Sequence, residues 1–154
     1  MLFRSIAEEG GCVKIRTGGI TAEAFPDASD ILRVLQLCAV FGAAFKATAG
    51  LHHPLRGLHP LTPGEQSPPV PMHGFLNLFL AAGFVRNHLA AELAVELLEE
   101  QSPEALEFSD AGVRWRNHLL TSDEISATRD QFAVSFGSCS LQEPIDDLRA
   151  LGLL

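Results

Sequence analysis

The chain has 154 residues, of which 47% are hydrophobic and 19% charged, a composition typical of a globular domain with one core. Its formal net charge of −8 argues against nucleic-acid binding, because a phosphate backbone requires a basic face. The longest apolar run, residues 74–85, is shorter than the roughly 20 residues that cross a bilayer, and no apolar signal segment follows Met1. We therefore expect no nucleic-acid partner, no membrane association and a cytoplasmic location.

The first residues and the cysteines bear on the setting of the chain. Residues 1–11 show no clear amphipathic period, and the first predicted element already leads into a functional-looking turn. We therefore expect this chain to be the C-terminal part of a longer protein. The three cysteines form no CxxC pair and are odd in number, which favours a reducing compartment over a disulfide framework.

Two matching strand-and-turn segments organise the first third of the chain. The first is a predicted strand at residues 12–16 that carries Lys14, and the second is a predicted strand at residues 45–48 that carries Lys46. These are the only two lysines in the protein, beside nine arginines. The one basic side chain that readily becomes neutral therefore occurs only at two equivalent positions.

An amphipathic helix connects the two strands. It is predicted to begin at the capping residues 27–30 and to end at Gly42, with an apolar stripe at helical spacing. A strand, a helix and a strand in this order form a βαβ unit, whose two strands are parallel. Lys14 and Lys46 then project from the same face of the sheet.

Residues 57–131 are predicted to form an insertion before the third parallel strand. Residues 57–71 are interpreted as a loop, because they contain five prolines. The remainder is predicted to contain a helix on which His73 and Asn77 share a face, an amphipathic helix, a hairpin and a capped helix. The predicted bounds are 72–86, 88–101, 106–109 with 113–116, and 121–131.

Three predicted strands lead into turns of small residues. The turns are Thr17-Gly18-Gly19, Thr48-Ala49-Gly50 and Gly137-Ser138-Cys139-Ser140, the last between a predicted strand at 132–136 and a final helix from residue 143. In parallel α/β proteins the carboxyl ends of the strands carry the functional site, and small residues let backbone N–H groups approach an anion. The predicted anion-binding residues are Arg16, Thr17, Gly18, Gly19, Thr48, Gly50, His52, His53, Gly137, Ser138 and Ser140.

The patterns around these turns resemble those of a known enzyme family. VKIRTGG at 13–19, FKATAGL at 45–51 and FGSCSL at 136–141 are similar, in this order, to strands six, seven and eight of the class I aldolase barrel of the deoxyribose-phosphate aldolase type. The resemblance implies an α/β fold in which this chain forms the last three βα units of a TIM-like parallel barrel. Residues 57–131 would be inserted between the second and third of these strands, and the N-terminal half of the barrel would be a further partner.

The resemblance also implies a mechanism. Lys14 would form a Schiff base with a small phosphorylated or carboxylated carbonyl compound, Lys46 would tune its acidity, and the glycine and serine turns would hold the anionic group. Elementary chemistry agrees, because a lysine is nucleophilic only when neutral and a nearby ammonium lowers its pKa by repulsion. We expect a lyase that acts on a small anionic metabolite without a cofactor or a metal. The sequence leaves a homo-oligomer open.

The catalytic interpretation has alternatives. The two lysines are either catalytic or ion-pair partners in a barrel interior. Arg16, His52 and His53 also suit a non-catalytic or metal-assisted anion-binding barrel, since four histidines lie between residues 52 and 73 and imidazole suits zinc. The proline-rich segment and the helices of the insertion also suit a protein-interaction module.

Two further side chains have structural interpretations. His73, on an apolar helix, is predicted to be a hydrogen-bonded core residue. Cys139 is either a low-pKa thiol at the start of a helix or a small buried residue, and we predict that it is buried.

Overall fold

The structure, a computed structural model, describes residues 2–61 and 67–154 as helices and strands arranged around a parallel sheet. The helices are α1 (Leu2–Glu8), α2 (Ala28–Phe41), α3 (Phe75–Arg86), α4 (Ala91–Leu98), α5 (Ser122–Gln131) and α6 (Gln142–Ala150). The strands are β1 (Cys12–Arg16), β2 (Ala44–Thr48), β3 (Gly57–Pro60), β4 (Pro69–Met72), β5 (Leu106–Ser109), β6 (Gly112–Trp115), β7 (His118–Thr121) and β8 (Ala133–Gly137). Among these helices, none has the length and hydropathy to cross a membrane.

The parallel sheet consists of β1, β2 and β8, with β2 in the centre. The three predicted strands are confirmed to within one residue at each end. β1 and β2 pair without interruption from Cys12 opposite Ala44 to Arg16 opposite Thr48. β2 and β8 pair with one irregularity next to Phe45, which shifts the register of β8 by one residue.

The helix between β1 and β2 forms as its capping residues predict. α2 begins after Asp27 and ends at Gly42, which has a φ of 67°. This left-handed conformation suits glycine, because a side chain there would crowd the neighbouring carbonyl. The buried side of α2 carries Ile31 and Leu35, the first two members of the predicted apolar stripe.

Helices cover one face of the parallel sheet. Ile15, Phe45 and Ala47 point to this face and belong to one apolar core with buried residues of α2, α3 and α4. Phe136 of β8 stacks on Phe75 of α3, with the ring centroids 5.1 Å apart. The alternate residues of β1 and β2 form the opposite face, which is polar and open.

The prediction of a loop at residues 57–71 is wrong for residues 57–60 and 69–71, which form strands. β3 and β4 pair there as an antiparallel hairpin, with Pro60 opposite Pro69 and Pro71 opposite a leucine. In an antiparallel pair, every second residue pair has its N–H groups pointing away from the partner strand. The three prolines all lie in such pairs, which are the positions where a strand tolerates proline. Proline therefore removes no ladder hydrogen bond from this hairpin. Residues 62–66 of the segment lie outside the described residues.

Three other sequence-based expectations need correction. α1 forms where no element was predicted, and its Phe3 stacks on Phe41 of α2 with ring centroids 6.5 Å apart. The predicted hairpin has a third strand, β7, which makes an antiparallel sheet in the order β5-β6-β7. α3 begins later than predicted because β4 occupies Pro69–Met72, and α4 spans only Ala91–Leu98.

The predicted α/β class is confirmed. The TIM-like barrel is a more specific prediction, and the described strands form only a three-stranded parallel sheet. β1, β2 and β8 lie side by side in sequence order, and β3 to β7 come between the second and the third of them along the chain. Within the described residues the sheet does not close, because β1 and β8 each pair on one side only.

Candidate functional site

The two lysines lie next to each other on the open face of the parallel sheet. Lys14 of β1 and Lys46 of β2 are direct register partners, and Ser135 of β8 continues the row. Neighbouring strands lie about 4.8 Å apart, so the two amines leave the sheet from adjacent positions. Both lysines are exposed, and neither forms an ion pair with any residue in 2–61 or 67–154.

A second row lies one pleat closer to the carboxyl ends of the strands. Arg16, Thr48 and Gly137 are register partners across β1, β2 and β8. The Nε atom of Arg16 donates a hydrogen bond of 3.0 Å to the carbonyl of Gly18, which turns the guanidinium toward the first turn. Arg16 has no carboxylate partner among the described residues, so its remaining donors are available to an anion.

The glycines of the first two turns allow a close approach between the turns and Phe25. A Cβ atom on Gly18 would lie 2.6 Å from the ring of Phe25 and 3.0 Å from the Cα of Gly50. A Cβ on Gly50 would lie 2.9 Å from the same ring, and Gly50 also has a φ of 75°. The phenylalanine and the two glycines therefore fix the spacing of the turns.

Thr17 holds the same two turns together. It is fully buried, and its hydroxyl donates a hydrogen bond of 2.6 Å to the carbonyl of Ala49. Its backbone N–H donates to the carbonyl of Thr48 at 3.0 Å. Thr17 was predicted to bind the anion directly, and the structure instead gives its hydroxyl a partner within the protein.

The backbone N–H groups of the turns are available. Within residues 2–61 and 67–154, those of Gly18, Gly19 and Gly50 donate no hydrogen bond. Gly18 and Gly50 are buried residues, and unpaired N–H groups are rare in such positions. A bound anion would satisfy these donors. Gly137 is exposed, and a Cβ atom there would meet nothing within 4 Å.

His52 connects the second turn with the third. Its Nδ1 atom lies 3.2 Å from the hydroxyl of Ser138, 3.4 Å from Oε2 of Glu143 and 3.7 Å from the thiol of Cys139. The thiol of Cys139 also lies 3.9 Å from Nε2 of the same ring. All three partners approach Nδ1, so the contacts do not place a nucleophile on one ring nitrogen and a carboxylate on the other, as a catalytic triad requires. The hydroxyl of Ser140 accepts a hydrogen bond of 3.3 Å from the N–H of Glu143 in the first turn of α6.

His53 faces a different neighbourhood from His52. Its Nδ1 lies 2.6 Å from Oδ2 of Asp147 in α6, and its ring stacks on that of His59 with centroids 3.3 Å apart. Burial, followed by the neighbouring His53, lowers the pKa of His59, while Asp147 opposes this shift. His53 was predicted to line the anion site with His52, and the structure separates the partners of the two histidines.

After the second turn in the sequence, Arg56 joins His73 and Asn77 in a hydrogen-bonded network, in which the two buried side chains, His73 and Asn77, are fully paired. His73 is 1% exposed; its Nε2 donates to the carbonyl of Pro26 at 2.7 Å, and its Nδ1 accepts from Nη1 of Arg56 at 3.0 Å. Because a carbonyl only accepts and a guanidinium only donates, these two bonds specify a neutral imidazole. Burial is the main cause that lowers the pKa of His73. The prediction of a hydrogen-bonded core histidine is confirmed.

Asn77, in the first turn of α3, completes this network. Its Oδ1 accepts from the N–H of Arg56 at 2.9 Å, and its Nδ2 donates to the carbonyls of Leu97 and Glu100, each at 2.8 Å. The prediction that His73 and Asn77 share a helix face is wrong, because His73 precedes α3, which begins at Phe75. Their hydrogen bonds nevertheless fasten the segment after β2 to α3 and α4.

The cysteines and histidines show no metal cluster. Within the described residues, no three His, Cys, Asp or Glu side chains converge in a way that would hold a metal ion. Cys139 is exposed, contrary to the prediction that it is buried, because its turn lies at the open edge of the sheet. Cys38 is buried in the core, where desolvation raises its pKa to about 11.

Several residues of the site escaped the sequence-based analysis. Phe25 beneath the glycines, Arg56 in the buried network and the pair Glu143 and Asp147 were not singled out. One signal was available, since Glu143 and Asp147 are four residues apart on α6 and face the consecutive histidines 52 and 53. Comparison with known proteins gives no match, whether with family models, curated proteins or solved structures.

Proposed function

We propose that the protein is a Schiff-base lyase that acts on a small phosphorylated or carboxylated carbonyl compound, with Lys14 as the nucleophile. The observation that carries the proposal is the register pairing of Lys14 with Lys46, the only two lysines of the chain, on the open polar face of the sheet. A pair of amines without carboxylate partners is a poor stabilising device, because like charges on neighbouring strands repel.

The same repulsion is useful in catalysis. An ammonium at Lys46 favours the neutral form of its neighbour, and only a neutral amine attacks a carbonyl. The amine of Lys14 adds to the carbonyl carbon, and loss of water gives the imine. The protonated imine then accepts the electron pair of the bond between its α and β carbons as that bond breaks, which gives an enamine on Lys14. The hydroxyl on the β carbon loses its proton and leaves as an aldehyde, and protonation and hydrolysis of the enamine release the second product and restore the amine. Ser135, the third member of the row, supplies a hydroxyl beside the amines.

The anionic group of the substrate has a matching place at the carboxyl ends of the strands. Arg16 lacks a carboxylate partner among the described residues, and the N–H groups of Gly18, Gly19 and Gly50 are unpaired there. These donors follow the lysine row along the strands, so one small molecule can reach both. Ser138, held against His52, would border the same anion.

The proposed site includes further strands that close a barrel over the lysine face. Parallel sheets are covered on both faces in nearly all α/β proteins, whereas here helices cover one face of the described sheet. The free edges of β1 and β8 offer the pairing that such strands need. We propose the TIM-like arrangement of the aldolase family for these strands.

Borohydride trapping tests the proposal. The protein is tested within any longer gene product that contains it. It is incubated with a panel of phosphorylated aldehydes and 2-keto acids and reduced with borohydride, and its mass is then measured by mass spectrometry. We expect one adduct for the wild type and none for Lys14→Arg, with lyase activity lowered at least about a thousandfold. Lys46→Met should still form the adduct, about tenfold more slowly at neutral pH. Undiminished activity in folded Lys14→Arg would refute the proposal.

A second candidate is a non-catalytic anion-binding barrel, which the unpaired donors at Gly18 and Arg16 favour. It predicts that inorganic phosphate binds wild type and Lys14→Arg alike and is lost in Arg16→Gln, without any carbonyl adduct. The matched control is Arg33→Gln, which removes an exposed arginine from α2.

A further inference from the structure

A cleft separate from the lysine row lies between the segment 53–59, called the strap here, and the last turn of α6. It has a volume of about 380 Å³. Besides the strap, Gln101, Pro103 and Leu151 line it, and none of the three small-residue turns contributes to it. The volume falls at the lower end of the range for small-molecule sites, so it suits a ligand smaller than a typical drug.

One wall of the cleft carries an oriented histidine. A carboxylate only accepts, so the 2.6 Å contact between His53 and Asp147 places the proton of His53 on Nδ1. In the neutral form of the ring, Nε2 keeps its lone pair, and within the described residues it takes part in no hydrogen bond. Stacking on His59 at 3.3 Å fixes the plane of the ring. A carboxylate-oriented imidazole with a free nitrogen is a ready acceptor for a hydroxyl group.

Another wall carries a cation with spare donors. Arg56 uses Nη1 for His73 and has no carboxylate partner in residues 2–61 or 67–154. Because His73 is neutral, the charge of Arg56 is not compensated within its network. A guanidinium in this state binds a carboxylate or a phosphate through its remaining N–H groups. Leu58 and Pro103 provide an apolar surface between the polar groups.

We propose that this cleft is a second binding site, for a small organic anion that carries a hydroxyl group beside its carboxylate or phosphate. Arg56 holds the anionic group, and Nε2 of His53 accepts the hydrogen of the hydroxyl. Asp147 gives the ligand its direction, since its negative charge repels the anionic end and leaves the hydroxyl at His53. The stacked rings of His53 and His59 cannot converge on one metal ion, so the site works through hydrogen bonds.

Histidine-selective NMR with two ligand pairs tests the proposal. The Cε1–H signals of the labelled chain are followed during titration with acetate, glycolate, inorganic phosphate and glycerol 3-phosphate. We expect the signals of His53 and His59 to move while those of His88 and His118, outside the cleft, stay in place. The hydroxylated member of each pair should bind about fivefold more tightly, the effect of one net hydrogen bond. The tighter pair shows whether the carboxylate or the phosphate is preferred.

Variants then separate the two contacts. Arg56→Gln should weaken both hydroxylated ligands at least about tenfold, while Arg149→Gln, which removes an exposed arginine from α6, should not. Asp147→Asn should lower the preference for the hydroxylated ligands to less than about twofold, the difference made by a weak hydrogen bond, and should not weaken acetate or phosphate binding, because the repulsion by its charge is lost. If Arg56→Gln does not fold, Arg56→Lys and Asp147→Asn carry the test. Equal shifts at all exposed histidines, or unchanged binding in both Arg56→Gln and Asp147→Asn, would overturn the proposal.

Discussion

The lysine row of Lys14 and Lys46 and the network of Arg56, His73 and Asn77 both lie next to the apolar core. They differ in whether their polar atoms have partners within the protein. Around Asn77 and His73, each polar side-chain atom has a hydrogen-bond partner within 3.0 Å. Lys14 and Lys46 have neither an ion pair among the described residues nor a burial requirement. The first arrangement stabilises the fold, whereas the second leaves its chemistry available to a ligand.

The largest expected effect is the loss of Asn77. Asn77→Ala removes one acceptor and two donors from buried backbone groups, which should lower the free energy of unfolding by about 3 kcal/mol or more. Urea denaturation followed by circular dichroism measures the change. The control is Asn117→Ala, an exposed asparagine, which should stay within about 0.5 kcal/mol. A mild effect at Asn77 would show that water replaces its bonds and that the network is not structural.

The next effect concerns the spacing of the turns. Gly50→Ala combines a left-handed φ with a clash against Phe25, so we expect a loss of about 2 kcal/mol in the free energy of unfolding. Gly42→Ala has a similar φ and nothing within 4 Å, and it should cost about 1 kcal/mol. Gly137→Ala, with neither constraint, should be close to neutral. Equal losses at Gly42 and Gly50 would contradict the close packing of the turns.

A smaller effect is the pH dependence that His73 confers. Its pKa is lowered in the folded state, so the unfolded chain binds the proton more readily, and stability is present above the unfolded value of about 6.5 and is lost as the pH falls below it. The free energy of unfolding then changes by at most about 1.4 kcal/mol per pH unit, which is the energy of one pKa unit. The pKa of His59 is also lowered, so this residue likewise reduces stability as the pH falls.

Urea denaturation between pH 7.5 and 5 checks this dependence. His73→Gln keeps one donor and one acceptor and should flatten the curve below pH 6.5, whereas His88→Asn, at an exposed position with a φ of 64°, should not. A curve for His73→Gln that falls as steeply as that of the wild type would assign the pH dependence to other groups.

The smallest expected effect on stability is that of replacing the two lysines. Lys14→Met and Lys46→Met replace exposed side chains without partners, so each should change the free energy of unfolding by less than about 0.5 kcal/mol. Chemical denaturation of both variants measures this. A loss of 2 kcal/mol or more in either would mean that the lysines belong to the structural network after all.

Local patterns predict the parallel sheet well. Period-2 alternation placed Lys14 and Lys46 on one face, and their register pairing followed from two strands of equal length and parallel direction. Asp27 and Gly42 marked the bounds of α2 because capping is a local effect. The capping box at Thr121 and Glu124 likewise predicted the start of α5.

The errors have a common physical origin in long-range packing. The prolines of β3 and β4 led to the prediction of a loop. The sequence does not show that each proline lies where the N–H group would point away from the partner strand of a hairpin. The contact of His53 with Asp147 was not foreseen either, because the two residues are 94 positions apart in the sequence. Arg56 gave no sequence signal at all, since its role depends on the meeting of the strap with α3.

The most direct test of the central claim is the location of the trapped adduct. After borohydride reduction with a reactive carbonyl compound from the panel, tryptic peptides of the wild type are mapped by mass spectrometry. Because the chain has only two lysines, the map has few alternatives. The proposal predicts the adduct on Lys14, with Lys46 unmodified. An adduct on Lys46 alone, an equal distribution over both lysines, or none with any carbonyl compound would contradict it.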